Sequence, residues 1–62
     1  MKTVEVECAV VRTTDAAIQI DHGGESFVWV PKSQISDYTG DTLEQAESIF
    51  IPDWLAEEKG LV

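Results

Sequence analysis

The chain has 62 residues, 44% of them hydrophobic, and its twelve acidic and four basic residues give a formal net charge of −8 at pH 7. This length allows one domain, residues 1–62, with one small core, and the apolar fraction excludes intrinsic disorder. The charge argues against binding to nucleic acid through its phosphates, which depends on Lys and Arg. No apolar run approaches the roughly 18 residues of a membrane span.

The first half of the chain predicts a three-stranded antiparallel meander. From Val4 to Val10 every second residue is apolar, and Glu5, Glu7 and Ala9 lie between them, which is the pattern of a half-buried strand. A second alternating run covers residues 17–21. Residues 27–30 are apolar on both faces, which predicts a central strand or one that is covered on both sides. Turn-forming residues, including a glycine pair, separate the three runs.

Pro31 ends the third strand because proline cannot donate to a sheet. Residues 32–35 then predict a one-turn helix or a tight corner, with Ile35 folded under it. Residues 36–47 contain four acids and no base, which predicts a mobile polar loop. A helical turn over residues 42–47 is the alternative for the end of this loop.

Residues 48–51 predict a fourth strand, and residues from about 53 to 59 predict a C-terminal helix that starts after Pro52. This helix is too short to be stable alone, so it is expected to dock through Trp54 and Leu55. The fold class predicted is β-rich α+β. It is either a small antiparallel four-stranded sheet or an SH3-like curled barrel, in each case with a short C-terminal helix.

The aromatic residues have two interpretations. Phe27 and Trp29 share one strand face, opposite Val28 and Val30, and one of these two faces is expected to pack on Trp54. The alternative is that one tryptophan stays exposed among acidic residues and anchors an interface with a partner.

The single cysteine, Cys8, excludes an internal disulfide and indicates a reducing cytoplasm. Charge from Lys2 onwards, where a signal peptide would be apolar, agrees with this location. Cys8 shares the apolar face of its strand, so its thiol is expected to be buried and inaccessible.

No catalytic, metal or cofactor site is predicted. Ser33 follows Lys32, but a chain of this size offers little room for the pocket that a nucleophile and its base require. Asp21, His22 and Glu25 are possible metal ligands around a turn, yet no second His or Cys supports them. We therefore do not expect an enzyme.

The acidic residues are the strongest functional signal. Glu5 and Glu7 lie two positions apart on one strand, which places them roughly 6.6–7 Å apart on one face. Such a spacing can follow a nucleic-acid backbone, although an ordinary solvated surface is the alternative interpretation. The predicted partner-binding residues are Glu5, Glu7, Asp37, Asp41, Glu44 and Glu47.

Two sequence motifs carry a resemblance. One is the run from Phe27 to Ile35, with the pattern aliphatic-Trp-aliphatic-Pro-Lys-Ser-Gln, and the other is the Pro-x-Trp-Leu-Ala segment that begins at Pro52. Over roughly residues 15–61 the chain resembles a group of small uncharacterised proteins of bacteriophages and other mobile elements. The resemblance implies a fold and a phage context, and no catalytic residue. Small acidic phage proteins are frequently inhibitors of host defence, and anti-CRISPR proteins of this kind are often DNA mimics.

Charge and resemblance together predict a phage-derived anti-CRISPR-type inhibitor. Its partner would be a basic surface of a host protein or nucleoprotein complex, with no direct nucleic-acid binding and no membrane. The inhibitor itself is expected to be a monomer or a homodimer. One alternative is an accessory module of phage DNA replication or recombination that depends on Arg12, Trp29 and Lys32. Another is a structural module that stabilises an oligomer through an uncovered sheet edge.

Overall fold

The computed structural model describes residues 2–61 and contains two antiparallel three-stranded sheets with one short helix. Two single-turn 3₁₀ helices occupy Lys32–Gln34 and Leu43–Gln45. The strands are β1 (Thr3–Glu7), β2 (Ala9–Thr13), β3 (Ala17–Asp21), β4 (Val28–Pro31), β5 (Asp37–Thr39) and β6 (Ser48–Pro52), and the helix is α1 (Asp53–Glu58).

The first sheet has the strand order β1-β6-β5 and the second sheet has the order β2-β3-β4. In the first sheet Thr3 lies opposite Pro52, and in the second Ala17 lies opposite Pro31. The flanking bond from the Lys32 N–H to the Ala16 carbonyl, at 2.8 Å, shows that Ala17 and Pro31 form a non-hydrogen-bonded pair. Pro31 is tolerated in this position because a backbone N–H there would point away from β3 and would not form a hydrogen bond with it.

The predicted first strand is divided between the two sheets. β1 pairs with β6 and β2 pairs with β3, and the chain passes from one sheet to the other at Cys8. The Cys8 N–H donates to the Glu47 carbonyl at 3.0 Å, which fixes the crossing point. The meander is confirmed only for β2, β3 and β4. The prediction of a single four-stranded sheet is therefore wrong. Within residues 2–61 the two sheets do not close into a barrel.

Residues 36–47 are more ordered than the predicted mobile loop. They contain β5, the reversal at Gly40 (φ +111°) and the second 3₁₀ helix, which confirms a helical turn in this region. The Glu47 N–H donates to the Thr39 carbonyl at 3.1 Å, and Ala46 is buried in the core. A local charge count does not show these long-range contacts, so the sequence indicated only a loop.

The core lies between the sheets and is aliphatic. The short helix adds Leu55 and Ala56 to it, as expected for a helix that begins after Pro52. Ile35 packs against the core from the first corner, which confirms its predicted position. The largest fully enclosed side chains are Ile18, Ile20, Val30, Ile49 and Ile51.

The aromatic side chains lie outside this core. Phe27, Trp29 and Trp54 are 52%, 41% and 47% exposed. β4 is an edge strand of the second sheet, so the expectation of a central or doubly covered strand is wrong. Val28 and Val30 supply the inward face of β4 and pack in the core, where Trp54 takes no part, so neither face of β4 is buried on Trp54 as expected. Trp54 is also exposed, so α1 docks through Leu55 and not through Trp54 as predicted.

Candidate functional site: an acidic sheet face

The two sheets differ in charge. The strands of the first sheet carry three acids, Glu5, Glu7 and Asp37, and no Lys or Arg. The strands of the second sheet carry Arg12 and Asp21, whose formal charges cancel. The structure therefore separates an acidic sheet from one that is formally neutral.

The three acids of the first sheet share its outer face, which we call the acidic face. Phe50 of the central strand β6 lies between Glu5 of β1 on one side and Asp37 of β5 on the other. Val6 is buried in the core, so Glu5 and Glu7, one position to either side of it, are directed outward. From strand geometry, Glu5 lies about 7 Å from Glu7 along β1 and about 10 Å from Asp37 across the sheet.

A chain of hydroxyl groups fixes the position of Glu5. The Ser48 Oγ donates to Glu5 Oε2 at 2.7 Å and lies 2.8 Å from the Thr39 Oγ1. A serine hydroxyl has one proton, so with that proton given to Glu5, Thr39 must donate to Ser48. The chain runs across all three strands of the first sheet, β5 to β6 to β1, and Ser48 is only 3% exposed. Glu5 is thus held in place, while its second carboxylate oxygen accepts no hydrogen bond from any of residues 2–61.

The acidic face borders an open concavity of about 490 Å³. Carboxylates and hydroxyls at its wall supply hydrogen-bond acceptors to anything that enters. Within residues 2–61 no group of three or more His, Cys, Asp or Glu side chains is arranged to hold a metal ion. The shape and chemistry suit the guanidinium or ammonium group of a basic side chain. The lining residues are Glu5, Glu7, Cys8, Thr39, Glu47 and Ser48.

Cys8 packs against the core, as its alternation with valines predicts, but it is half-buried and also lines the concavity. The expectation of an inaccessible thiol is therefore only partly met. Burial raises the pKa of the Cys8 thiol above its usual value, because the apolar surroundings disfavour the thiolate. The group is consequently held in its neutral, weakly nucleophilic form at neutral pH.

The structure brings together some of the six predicted partner-binding acids and leaves two apart. Glu5, Glu7 and Glu47 line the concavity, and Asp37 lies on the same sheet face. Asp41 and Glu44 lie in the connection between β5 and β6 and do not line the concavity. The 3₁₀ helix that carries Glu44 packs against β2, in the other sheet.

Two residues of the site were missed by sequence reasoning, Thr39 and Ser48. Both are small hydroxyl residues in a stretch of the chain that is rich in acids, a common feature of polar loops. Their role depends on the pairing of β5 with β6, in which Thr39 lies directly opposite Ser48. The sequence offers no local signal for that register.

Comparison with known proteins gives no match to a family model, to a curated protein or to a solved structure. Within the part of the chain that is described, no helix is long and apolar enough to cross a membrane. The geometry and charge of the acidic face must therefore carry any inference about function.

Proposed function

We propose that the protein is a stoichiometric inhibitor of a host defence nucleoprotein complex, of the anti-CRISPR type, and that it acts in the host cytoplasm. In this proposal the acidic face occupies a basic surface where the complex holds nucleic acid. One observation carries it: Glu5, Glu7 and Asp37 project from one face of a sheet whose strands contain no Lys or Arg. A phage origin is part of the proposal and is supported by the sequence motifs alone.

The chemistry of the acidic face suits a site that normally binds phosphates. Ionised carboxylates, like phosphates, only accept hydrogen bonds, and arginine binds either group through two parallel N–H donors. The bond from Ser48 holds Glu5 before any partner arrives, so less side-chain freedom is lost on binding. No bond is made or broken in this mode of inhibition, and the inhibitor is not turned over.

The net charge of −8 would assist encounter with a basic surface. Complementary potentials raise association rates, and this effect weakens as salt screens the charges. Inhibition is therefore expected to weaken with ionic strength, mainly through slower association.

The test is capture from host lysate with the protein as bait and with nuclease present. Wild-type bait is compared with Glu5→Lys/Glu7→Lys, which reverses two charges of the acidic face. The matched control is Glu57→Lys/Glu58→Lys on α1, where both residues are exposed and the change in net charge is the same. Wild-type and control baits should retain a nucleic-acid-guided defence complex after nuclease treatment. The acidic-face variant should lose it.

Retention of the same complex by all three baits would contradict the proposal, since the acidic face would then be dispensable. Loss with both charge-reversed baits would also contradict it, because net charge and no particular face would then explain the binding. Circular dichroism of each variant verifies that the fold is intact.

A second candidate is the accessory module for phage DNA replication or recombination, and one observation favours it. Arg12 and Trp29 both lie opposite Gln19, on its two sides, so a cation and an exposed aromatic ring share one face of the second sheet. Aromatic rings that stack on bases are common in single-strand binding proteins, but there they line positively charged grooves. Retention on single-stranded DNA at moderate salt, lost in Trp29→Ala, would favour this candidate over the inhibitor.

A further inference from the structure

The second sheet has an open edge at β4. β4 pairs with β3 on one side, and no other described strand pairs with its other side. The bond between the Lys32 N–H and the Ala16 carbonyl sets the alternation along this pair of strands. Val28 and Val30 are therefore the residues bonded to β3, and the N–H and C=O of Trp29 point away from it.

The side chains beside this open edge are exposed aromatics. Phe27 and Trp29 are 52% and 41% exposed. Trp29 lies on the outer face of the second sheet, opposite Gln19, and Phe27 immediately precedes β4. With side chains of the usual aromatic size, they leave about 200 Å² of apolar surface in contact with water. Natural proteins usually protect an open edge with charged residues or proline. β4 carries no charged residue, and its one proline, Pro31, lies at the end of the strand and leaves the N–H and C=O of Trp29 free to pair.

We propose that β4 pairs with β4 of a second copy of this chain, in an antiparallel arrangement whose two-fold axis passes at Trp29. The two copies would then form one continuous six-stranded sheet. Trp29 of each copy would exchange both of its backbone hydrogen bonds with its counterpart. The backbone N–H of Phe27 in each copy would donate to the Pro31 carbonyl of the other copy. Pro31 has no N–H, so this pairing leaves no proline donor unpaired. This inference concerns the second sheet and does not depend on the proposed function of the acidic face.

Charge favours a second copy as the occupant. Two molecules of net charge −8 repel one another, so self-association requires a surface where the charge is low. The strands of the second sheet carry only Arg12 and Asp21 and are formally neutral. In contrast, the strongly basic partner expected for the acidic face would gain nothing electrostatically from docking here.

Size points to a weak dimer. The aromatics of two copies would remove at most about 400 Å² from water, because edge pairing leaves part of the outer face open. The paired strand backbones would add to this, against a lower limit of about 1,000–1,200 Å² for specific interfaces. An affinity in the micromolar range is therefore expected, with monomer and dimer in exchange. A chain this short also gains stability from association, since its own core is small.

The test is sedimentation equilibrium of the full chain from about 5 to 500 µM, a range in which mass action populates a micromolar dimer. The wild-type mass should rise from 6.9 kDa towards twice that value. Phe27→Lys/Trp29→Lys should stay monomeric, although it also lowers the repulsion between copies. The matched control Trp54→Lys, which replaces an equally exposed aromatic on α1, should dimerise like the wild type.

A second measurement is independent of any variant. Amide hydrogen exchange of Trp29 should slow at least tenfold between the lowest and the highest concentration if β4 pairs with itself. A wild-type chain that stays at 6.9 kDa throughout would overturn the proposal and leave the edge to a different partner. A dimer that survives in Phe27→Lys/Trp29→Lys would overturn it as well. So would a dimer in which the Trp29 amide is not protected, since that would indicate contact through the aromatic faces alone. If the double variant does not fold, Trp29 exchange decides the question.

Discussion

Replacing Ser48 by alanine tests whether the hydroxyl chain fixes Glu5 on the acidic face. The substitution removes the donor to Glu5 Oε2 and the acceptor for Thr39, at 2.7 and 2.8 Å respectively. It changes the volume by a single oxygen atom, and Ser48 is 3% exposed, so water has little room to replace that atom.

The expected loss of stability follows from these contacts. A hydrogen bond to a charged group contributes about 1.5–3 kcal/mol, and a neutral one about 1 kcal/mol. Glu5 and Thr39 are both exposed and regain water when Ser48 is removed, which lowers the net effect. We therefore expect Ser48→Ala to lower the free energy of unfolding by about 1–2 kcal/mol. For a domain of this size that corresponds to a fall in Tm of about 5–15 °C.

Urea denaturation followed by tryptophan fluorescence provides the measurement, and Ser36→Ala is the matched control. The Ser36 Oγ donates to the Phe50 carbonyl at 3.2 Å in an exposed position, so its loss should change the free energy by less than about 0.5 kcal/mol. A double-mutant cycle with Glu5→Ala isolates the pair, and a coupling energy of about 1 kcal/mol is expected.

Additivity of Ser48→Ala and Glu5→Ala within about 0.3 kcal/mol would refute the reasoning. Glu5 would then gain nothing from Ser48, and it would not be held in place before binding. An effect of Ser48→Ala no larger than that of Ser36→Ala would lead to the same conclusion.

Three further predictions concern the fold. Because burial raises the pKa of Cys8, iodoacetamide should alkylate its thiol more slowly in the native protein than in urea at pH 8, as read by mass spectrometry, and equal rates would contradict this. For the same reason the free energy of unfolding should fall as pH rises through the native pKa of Cys8. Gly40→Ala should lower the free energy of unfolding, measured by urea denaturation, by about 1–3 kcal/mol, because φ is +111° and the new Cβ would lie 2.8 Å from a backbone carbonyl oxygen. Gly23→Ala (φ +90°) places its Cβ in open space and should lower it by less, and the reverse order would contradict the reasoning. Ile18→Ala, in a fully enclosed position, should lower the free energy of unfolding by about 2–5 kcal/mol and leave most molecules unfolded at 37 °C. A native circular dichroism spectrum with an unchanged Tm would disprove this.

Local patterns in the sequence were enough to predict part of this fold. The alternation around Ile18 and Ile20 predicted β3, and proline followed by an acid predicted the start of α1 at Asp53. Both signals depend on residues that are neighbours along the chain. The strand from Ser48 was confirmed for the same reason.

The crossing at Cys8 could not be predicted, because the alternation of apolar residues continues through it unchanged. The bond that fixes it comes from Glu47, about forty residues further along the chain. Similarly, four apolar residues in a row made β4 resemble a central strand. It is an edge strand with an exposed outer face, because contacts with parts of the chain that are distant in sequence decide which apolar residues are covered.

The acidic face was predicted in part. Glu5 and Glu7 share it because strand periodicity determines which residues share a face, and that can be inferred from sequence. Asp37 and Glu47 come close to them through the pairing of β5 and β6, whereas Glu44 lies on a 3₁₀ helix that packs against β2. A run of acids in one segment did not indicate which of them would face the same way.

Displacement of DNA tests the acidic face as a nucleic-acid competitor most directly. The defence complex that wild-type bait retains is purified and loaded with fluorescent target DNA, and the release of that DNA is followed by polarisation as each variant is added. We expect wild type and Glu57→Lys/Glu58→Lys to release the DNA at similar concentrations. Glu5→Lys/Glu7→Lys should require at least about tenfold more protein, equivalent to about 1.4 kcal/mol. Equal release by the two double variants, or no release by the wild type, would contradict the proposed role of the acidic face.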